Sequence, residues 1–187
     1  MPAACPADVV CIASFNADLT SRVARPLAGG ETLLASGFGI GPGGKGSNAA
    51  IACARHGARV AVIARIGNDD FGRMALALWQ REGIDAAMVE VVDGEPSGVA
   101  QIFVYDDGDN SIAVAPGAGA GLGARHVDAS TAAGLLGAAS VVMASCEVPI
   151  EAILAAFAQA RKGGAFTLLN PARPLSCQTA CWRCVTC

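Results

Sequence analysis

Charge is sparse in this chain. Charged residues make up 16% of its 187 residues, and the formal net charge is −3. So slight a balance gives no electrostatic reason to expect nucleic acid or an acidic membrane surface as a partner. Long apolar runs are also missing: none reaches the roughly 20 residues of a membrane-spanning helix. The start, Met1-Pro2-Ala3-Ala4-Cys5, lacks the basic residues and long apolar core of a secretory leader. The expectation is a cytoplasmic protein. Histidine is nearly absent. His56 and His126 are the only two, each at the edge of a helical pattern. Neither has a Ser or Cys partner suggested by spacing, which speaks against a catalytic triad.

What is present is enough for a core. The chain is 53% hydrophobic, and its length suits one domain or one domain with a small lid. Cys5, Cys11, Cys53 and Cys146 are scattered through apolar segments, where a free thiol behaves as a small hydrophobe. Cys177, Cys181, Cys184 and Cys187 crowd the last residues. Their spacing resembles an iron–sulfur ligand loop, but it stands at the wrong end of the chain for a barrel to follow. A zinc knuckle would want its ligands inside a folded loop. The expectation is no metal site.

The densest chemical signal is Gly39-Ile40-Gly41-Pro42-Gly43-Gly44-Lys45-Gly46-Ser47-Asn48. Glycine permits positive φ and close approach of backbone N–H groups to a ligand. A helix starting near Ser47 would aim unpaired N–H groups and its positive dipole end into this loop. Lys45 adds a mobile cation and Asn48 an amide that can donate and accept. Such a loop suits a polyhydroxylated or phosphorylated small molecule. Gly41-x-Gly43-x-x-Gly46 fits a dinucleotide fingerprint, but no acidic residue closes a second strand roughly 20 residues on. Gly39-x4-Gly44-Lys45 approaches a P-loop, but Gly46 stands where a Ser or Thr would hold magnesium. The third pattern fills every spaced position: Gly43-Gly44-Lys45-Gly46-Ser47-Asn48-Ala49-Ala50, then Gly57, then Gly67. It resembles the N-terminal signature of the ribokinase-like (PfkB) carbohydrate kinases.

Along the chain, Val9 to Phe15 reads as a buried parallel strand ending at Asn16 and Asp18. Polar groups just past such a strand are where α/β proteins place ligand contacts; the alternative is a turn cap. Leu19 to Val23 and Glu31 to Phe38 flank a Pro/Gly turn and suggest a hairpin-like excursion. A helix is expected from about Ser47 to His56, with Gly57 beyond its end. Val60 to Ile66 is a strand, and Asp69 or Asp70 caps a helix ending at Gly83. Met88 to Val92 is a strand. Val99 to Tyr105 and Ser111 to Ala115 flank Asp106-Asp107-Gly108-Asp109-Asn110, a solvated hairpin turn rather than a calcium loop. Arg125 to Leu136 is a helix interrupted at Gly134. Val141 to Ala144 is a strand, Pro149 to Lys162 a helix, and Phe166 to Asn170 a strand. Glu147 follows a strand end. It can accept hydrogen bonds from a ligand, or serve as an N-terminal acid of the helix after it.

The fold class expected is α/β: a parallel sheet with helices on both faces and a small antiparallel β lid, with lid strands at about 19–40 and 97–115. The resemblance runs from about Val9 to Pro174, including Gly98 to Val104 and Leu169-Asn170-Pro171-Ala172. It implies that Asn16, Asp18, Gly43, Gly44, Lys45, Asn48 and Glu147 bind sugar, and that Ala100, Ile102 and Val114 form an apolar lid face against it. Gly43 and Gly44 would also be the lid hinge. It further implies transfer of the ATP γ-phosphoryl group to the primary hydroxyl of a sugar, D-ribose favoured, with Mg2+ and a monovalent cation, K+. Fructose phosphates, adenosine and keto-deoxy acids remain open as acceptors. A homodimer formed through the lid is implied as well.

One departure matters. The family's second signature, Asp-x-x-Gly-Ala-Gly-Asp in outline, supplies the catalytic base and anion hole, and it does not occur in these 187 residues. After Pro174 the residues lose periodicity and become dense in Cys, Trp and Arg. The expectation is that 1–174 is the N-terminal part of a ribokinase-like domain and 175–187 an aberrant tail from a frameshifted or prematurely terminated gene. Such a chain would have no turnover alone. The alternative is a non-catalytic sugar-binding or lid-dimerising remnant.

Overall fold

Val10 and Ile12 point to one side of the first strand while Cys11 and Ala13 point to the other, and all four are buried. A strand buried on both faces needs cover on both, which is the condition for a sheet sandwiched between helices. The computed structural model describes residues 7–171 and has that arrangement.

The main sheet is parallel, with strand order β5-β4-β1-β8-β9. Its strands are β1 (Val9–Ile12), β4 (Val60–Gly67), β5 (Asp85–Val92), β8 (Val141–Ser145) and β9 (Phe166–Asn170). Helices α1 (Lys45–Arg55) and α2 (Asp70–Arg81) cover one face. Helices α3 (Ala124–Ala132), α4 (Leu135–Ala138) and α5 (Ile150–Lys162) cover the other. Trp79 and Phe157, both fully buried, anchor the two cores. Large side chains of this kind stabilise by about 1.5–3 kcal/mol each when buried. The chain turns one way from β1 to β4 and β5 and the other way to β8 and β9, so strand order reverses between β1 and β8. That crevice is where open α/β sheets bind ligands.

A second sheet projects from this body, ordered β3-β2-β6-β7. It comprises β2 (Asn16–Arg22), β3 (Gly37–Gly43), β6 (Gly98–Val104) and β7 (Asn110–Ala115). It differs from the expected lid in three respects. It is mixed rather than antiparallel, because β2 and β6 pair in parallel. Asn16 and Asp18 lie inside its first strand, not in a turn after β1. The strand after the Pro/Gly turn is the glycine run Gly37–Gly43 rather than Glu31 to Phe38. Gly39, Gly41 and Gly43 pair there opposite Thr20, Asp18 and Asn16. Propensity disfavours such a strand; full pairing to β2 overrides it.

Helix boundaries match the pattern reading closely. Asp69 caps α2, its carboxylate accepting from Gly72 N at 2.7 Å. Gly134 is left-handed, φ 79°, and splits α3 from α4. The Cys177–Cys187 cluster, Cys5, Ala172, Pro174 and the whole 175–187 tail lie outside the described residues. No helix among the described residues is long and apolar enough to cross a membrane.

One charged cluster ties the lid's return to the sheet. Arg65 on β4 is 8% exposed, and its guanidinium donates to Glu90 at 2.7 Å, to Glu95 at 2.6 Å and to Ala118 O at 2.7 Å. Arg125 and His126 converge on the same Glu90 carboxylate. His126 Nδ1 accepts from Gly123 N, which leaves Nε2–H to donate to Glu90. His126 thereby links the start of α3 to β5. Hydrogen bonding from His126, reinforced by Arg65 and opposed by partial burial, lowers the Glu90 carboxyl to about 2.

The cluster generates a prediction. A depressed carboxyl contributes stability above its unfolded pKa and loses it as pH falls toward the folded value. Urea denaturation should therefore show stability declining from the ordinary glutamate range down to about pH 2. Arg65→Ala should cost about 2–3 kcal/mol, less than a fully buried pair because Glu95 is half exposed. It should also flatten that acid limb.

Candidate functional site

The site is built where β1 ends, β8 ends and α1 begins. Glu147 lies two residues past β8, and Ser14 two residues past β1. Glu147 Oε2 accepts from Ser14 Oγ at 2.8 Å and from the Lys45 backbone N–H at 2.8 Å. Its Oε1 faces Lys45 Nζ at 3.0 Å. Ser14 Oγ in turn accepts from Gly46 N at 3.1 Å, and Ser14 O accepts from Ser47 N at 3.1 Å. Asn48 N completes the first turn on Gly44 O at 2.9 Å.

The leading N–H groups of α1 are therefore all engaged by the protein itself. This corrects the expectation of unpaired N–H groups waiting for a ligand. The anion at the positive end of α1 is the Glu147 carboxylate. It also corrects the alternative placing of Glu147: it serves the N-terminus of α1, not that of the helix following it. A phosphate has no free backbone cradle in this loop, so the P-loop and dinucleotide readings fail on geometry as well as on sequence.

The two glycines have different duties. Gly44 has φ 96°, and a Cβ there would stand 2.6 Å from Ser14 O and 2.9 Å from Phe15 Cα. Gly43 is extended, but a Cβ there would overlap the Asp18 carboxylate. Gly43 thus makes room for Asp18, whereas Gly44 makes the turn. Below them, Ser47 Oγ accepts from Trp79 Nε1 at 2.9 Å, and Phe15 packs edge-on against Trp79 with ring centroids 5.9 Å apart. The second crossing into the lid is held by Asp69, whose carboxylate accepts from Ser97 N at 2.8 Å and Ser97 Oγ at 2.6 Å.

These groups surround a hollow of about 130 Å³ between lid and body, lined by Asn16, Asp18, Gly44, Lys45, Asn48, Ala100, Ile102, Ile112, Val114 and Glu147. Nine of the ten predicted site residues line it; Gly43 stands behind Asp18. Three roomier hollows lie elsewhere: near Arg59 and Glu82, on the outer face of the lid, and beside Arg22 and Phe38. Arg59, Glu82 and Asp85 line the first, but none of the three combines carboxylates, amides and an ammonium as the small hollow does, so the small hollow is the better site. Among the described residues, the side chains of Asn16, Asp18 and Asn48 make no hydrogen bond within the chain.

Electrostatics separates the two carboxylates. Burial, reinforced by the charge of Glu147 and opposed by Lys45, raises the Asp18 carboxyl. Burial also acts to raise Glu147, but the donors Lys45 N, Ser14 Oγ and Lys45 Nζ outweigh it and hold this carboxyl below its usual range. Two residues escaped the sequence reading. Ile112 pairs with Ile102 and lines the hollow; its period-two spacing from Val114 was the available signal. Ser14 is a buried hydroxyl in an apolar run, and that polarity was its signal.

The profile of the pfkB family carbohydrate kinases matches residues 6–186. The chain belongs to the PfkB carbohydrate kinase family. Mouse ribokinase is 35% identical over 166 residues, which cover 89% of this chain and 51% of that protein. Deoxyribokinase from Salmonella typhimurium is 35% identical over 177 residues, 93% of this chain and 57% of that one. The structure of Arabidopsis thaliana ribokinase complexed with ribose and ATP superposes with a TM-score of 0.75 at 26% identity, covering 88% of this chain and 53% of that one. The chain thus spans about half the length of the relatives it matches. The α/β fold, with its parallel five-stranded sheet and mixed four-stranded sheet, is that of ribokinase structures over about half their chains.

A paired substitution tests the two glycine constraints. Gly44→Ala combines positive φ with a backbone clash and should cost about 2–4 kcal/mol. Gly57→Ala has a similar φ of 90° but open space around the added Cβ, and should cost only about 1 kcal/mol. Urea midpoints of the two variants measure the difference.

Proposed function

We propose that these residues form the sugar-binding part of a ribokinase-type kinase, with D-ribose as the favoured ligand. One observation carries the reading: Asn16, Asp18, Lys45, Asn48 and Glu147 converge from three separate segments on one hollow roofed by Ala100, Ile102, Ile112 and Val114. Carboxylates and amides suit sugar hydroxyls, which both donate and accept. An apolar roof suits the C–H face of the ring and excludes water. In this reading Asp18, with its raised carboxyl, and Asn16 contact hydroxyls from the lid side, Asn48 from the helix side and Glu147 from the floor. Gly43 and Gly44 allow the lid to close.

The reaction assigned by this reading is transfer of the ATP γ-phosphoryl group to the sugar's primary hydroxyl. ATP, Mg2+ and K+ are the other participants that the family implies. The amides of the glycine loop are taken by Ser14 and Glu147. No group of three or more His, Cys, Asp or Glu among the described residues could hold a metal ion. This reading assigns no site for ATP, Mg2+ or K+ among the described residues. Phosphoryl transfer depends almost wholly on positioning and charge stabilisation. Since the 187 residues also lack the family's base-bearing signature, the chain alone should bind without turnover.

Calorimetry with ribose, and a coupled assay with ATP, magnesium and potassium, test this reading. The expected result is ribose binding with no sustained ribose 5-phosphate formation. Asp18→Asn should weaken binding roughly 10- to 100-fold, the loss of a charge-assisted hydrogen bond. Turnover by the chain alone would overturn the inactive assignment, and absence of binding would overturn the sugar site.

The lid is also proposed as a homodimer interface. Phe38 and Ile40 on the edge strand β3 are 66% and 52% exposed. Ile40 pairs with Leu19, on the lid face opposite that of Asp18. Sedimentation should show a dimer that Ile40→Glu converts to monomer; a monomeric parent chain would exclude the interface.

A further inference from the structure

Ser14 stands outside the residues assigned to the sugar, yet it joins three segments that make the site. Its hydroxyl is buried and has one proton. That proton has no freedom of direction. Gly46 N–H is a backbone donor and can only give, so Ser14 Oγ accepts there at 3.1 Å. The Ser14 proton must then go to Glu147 Oε2, 2.8 Å away. Lys45 N–H is likewise fixed as a donor to the same oxygen at 2.8 Å. Both donors demand a bare Oε2. Oε2 carries two fixed donors, whereas Oε1 meets Lys45 Nζ, and Glu147 lines the hollow. Lys45 is the mobile partner, with its side chain 43% exposed.

We propose that Ser14 is a positioning residue: a one-way hydrogen-bond chain from Gly46 N–H through Ser14 Oγ–H to Glu147 Oε2 locks this carboxylate as an acceptor with Oε1 turned to the ligand. The ligand role of Oε1 rests on the sugar reading above; the lock itself does not. The consequence for recognition is specific. Lys45 Nζ, a donor without acceptor capacity, stands 3.0 Å from Oε1 and keeps that oxygen bare as well; Oε1 can therefore accept a hydrogen bond but not donate one, and the ligand atom facing it must be a donor. The charged or titratable groups that face Glu147 are Lys45 from α1 and Asp18 from β2.

The test uses the full chain labelled with 13C at Asp and Glu carboxyl carbons. In Ser14→Ala the Glu147 titration midpoint should rise, and the ribose dissociation constant should increase about tenfold. Ser14→Thr keeps the hydroxyl and should restore both toward the parent values. A purely space-filling Ser14 would leave the Glu147 titration unmoved. A folded Ser14→Ala chain with an unchanged midpoint overturns the proposal. Should Ser14→Ala lose its cooperative melt, Ser14→Cys, similar in size but a weak donor, replaces it, with the same rise required. If the parent chain does not bind ribose while the Glu147 midpoint still rises in Ser14→Ala, the sugar reading fails and the lock stands.

Discussion

The Glu147 carboxylate rests on the N-terminus of α1, and this contact organises the region around it. It joins the carboxyl end of β8 to the start of a helix 102 positions earlier in the chain. Its partners are one backbone amide, one buried hydroxyl and one flexible ammonium. The helix dipole and these donors stabilise the ionised form against the cost of burial. With that anion in place, α1 needs no external phosphate, and the glycine loop becomes a wall of the hollow between lid and body.

Glycine serves this arrangement by absence of a side chain more than by flexibility. Gly46 lets α1 approach β1, where a Cβ would stand 2.7 Å from Ala13 Cα. Gly98 leaves space for the Asn16 amide, and Gly43 for the Asp18 carboxylate. Only Gly44 in the loop needs left-handed backbone. The lid strands therefore press against one another and against the body at points where any larger residue would push polar side chains out of the hollow. Asp69 supplies the other fixed point, capping α2 and gripping Ser97 where β6 enters the lid.

Much of the fold was legible along the chain because its signals are local. The alternation of apolar runs with capped helical patterns announced a parallel α/β sheet, and the ends of α2 and α5 followed from Asp69, Pro149 and Gly163. The lid was legible less well. A strand of Gly, Pro and Ile such as β3 has poor intrinsic propensity, and only its pairing to β2 makes it a strand. The parallel pairing of β2 with β6 joins segments about 80 residues apart, and nothing local encodes it.

The same division holds for the site. Residue types and spacing raised Asn16, Asp18, Lys45, Asn48 and Glu147 as candidates but left a turn cap open for Asn16 and Asp18 and a helix-terminal acid for Glu147; the resemblance to the family is what favoured a sugar-binding role. What the amino acids in order could not determine is which group each amide and carboxylate meets. Whether the α1 amides face a ligand or a carboxylate depends on where β8 ends beside β1, a matter of sheet order. The engagement of Ser14 and the different states of the two carboxylates follow from that placement. Hydrogen-bond direction and desolvation are properties of the assembled neighbourhood and have no counterpart in the linear chain.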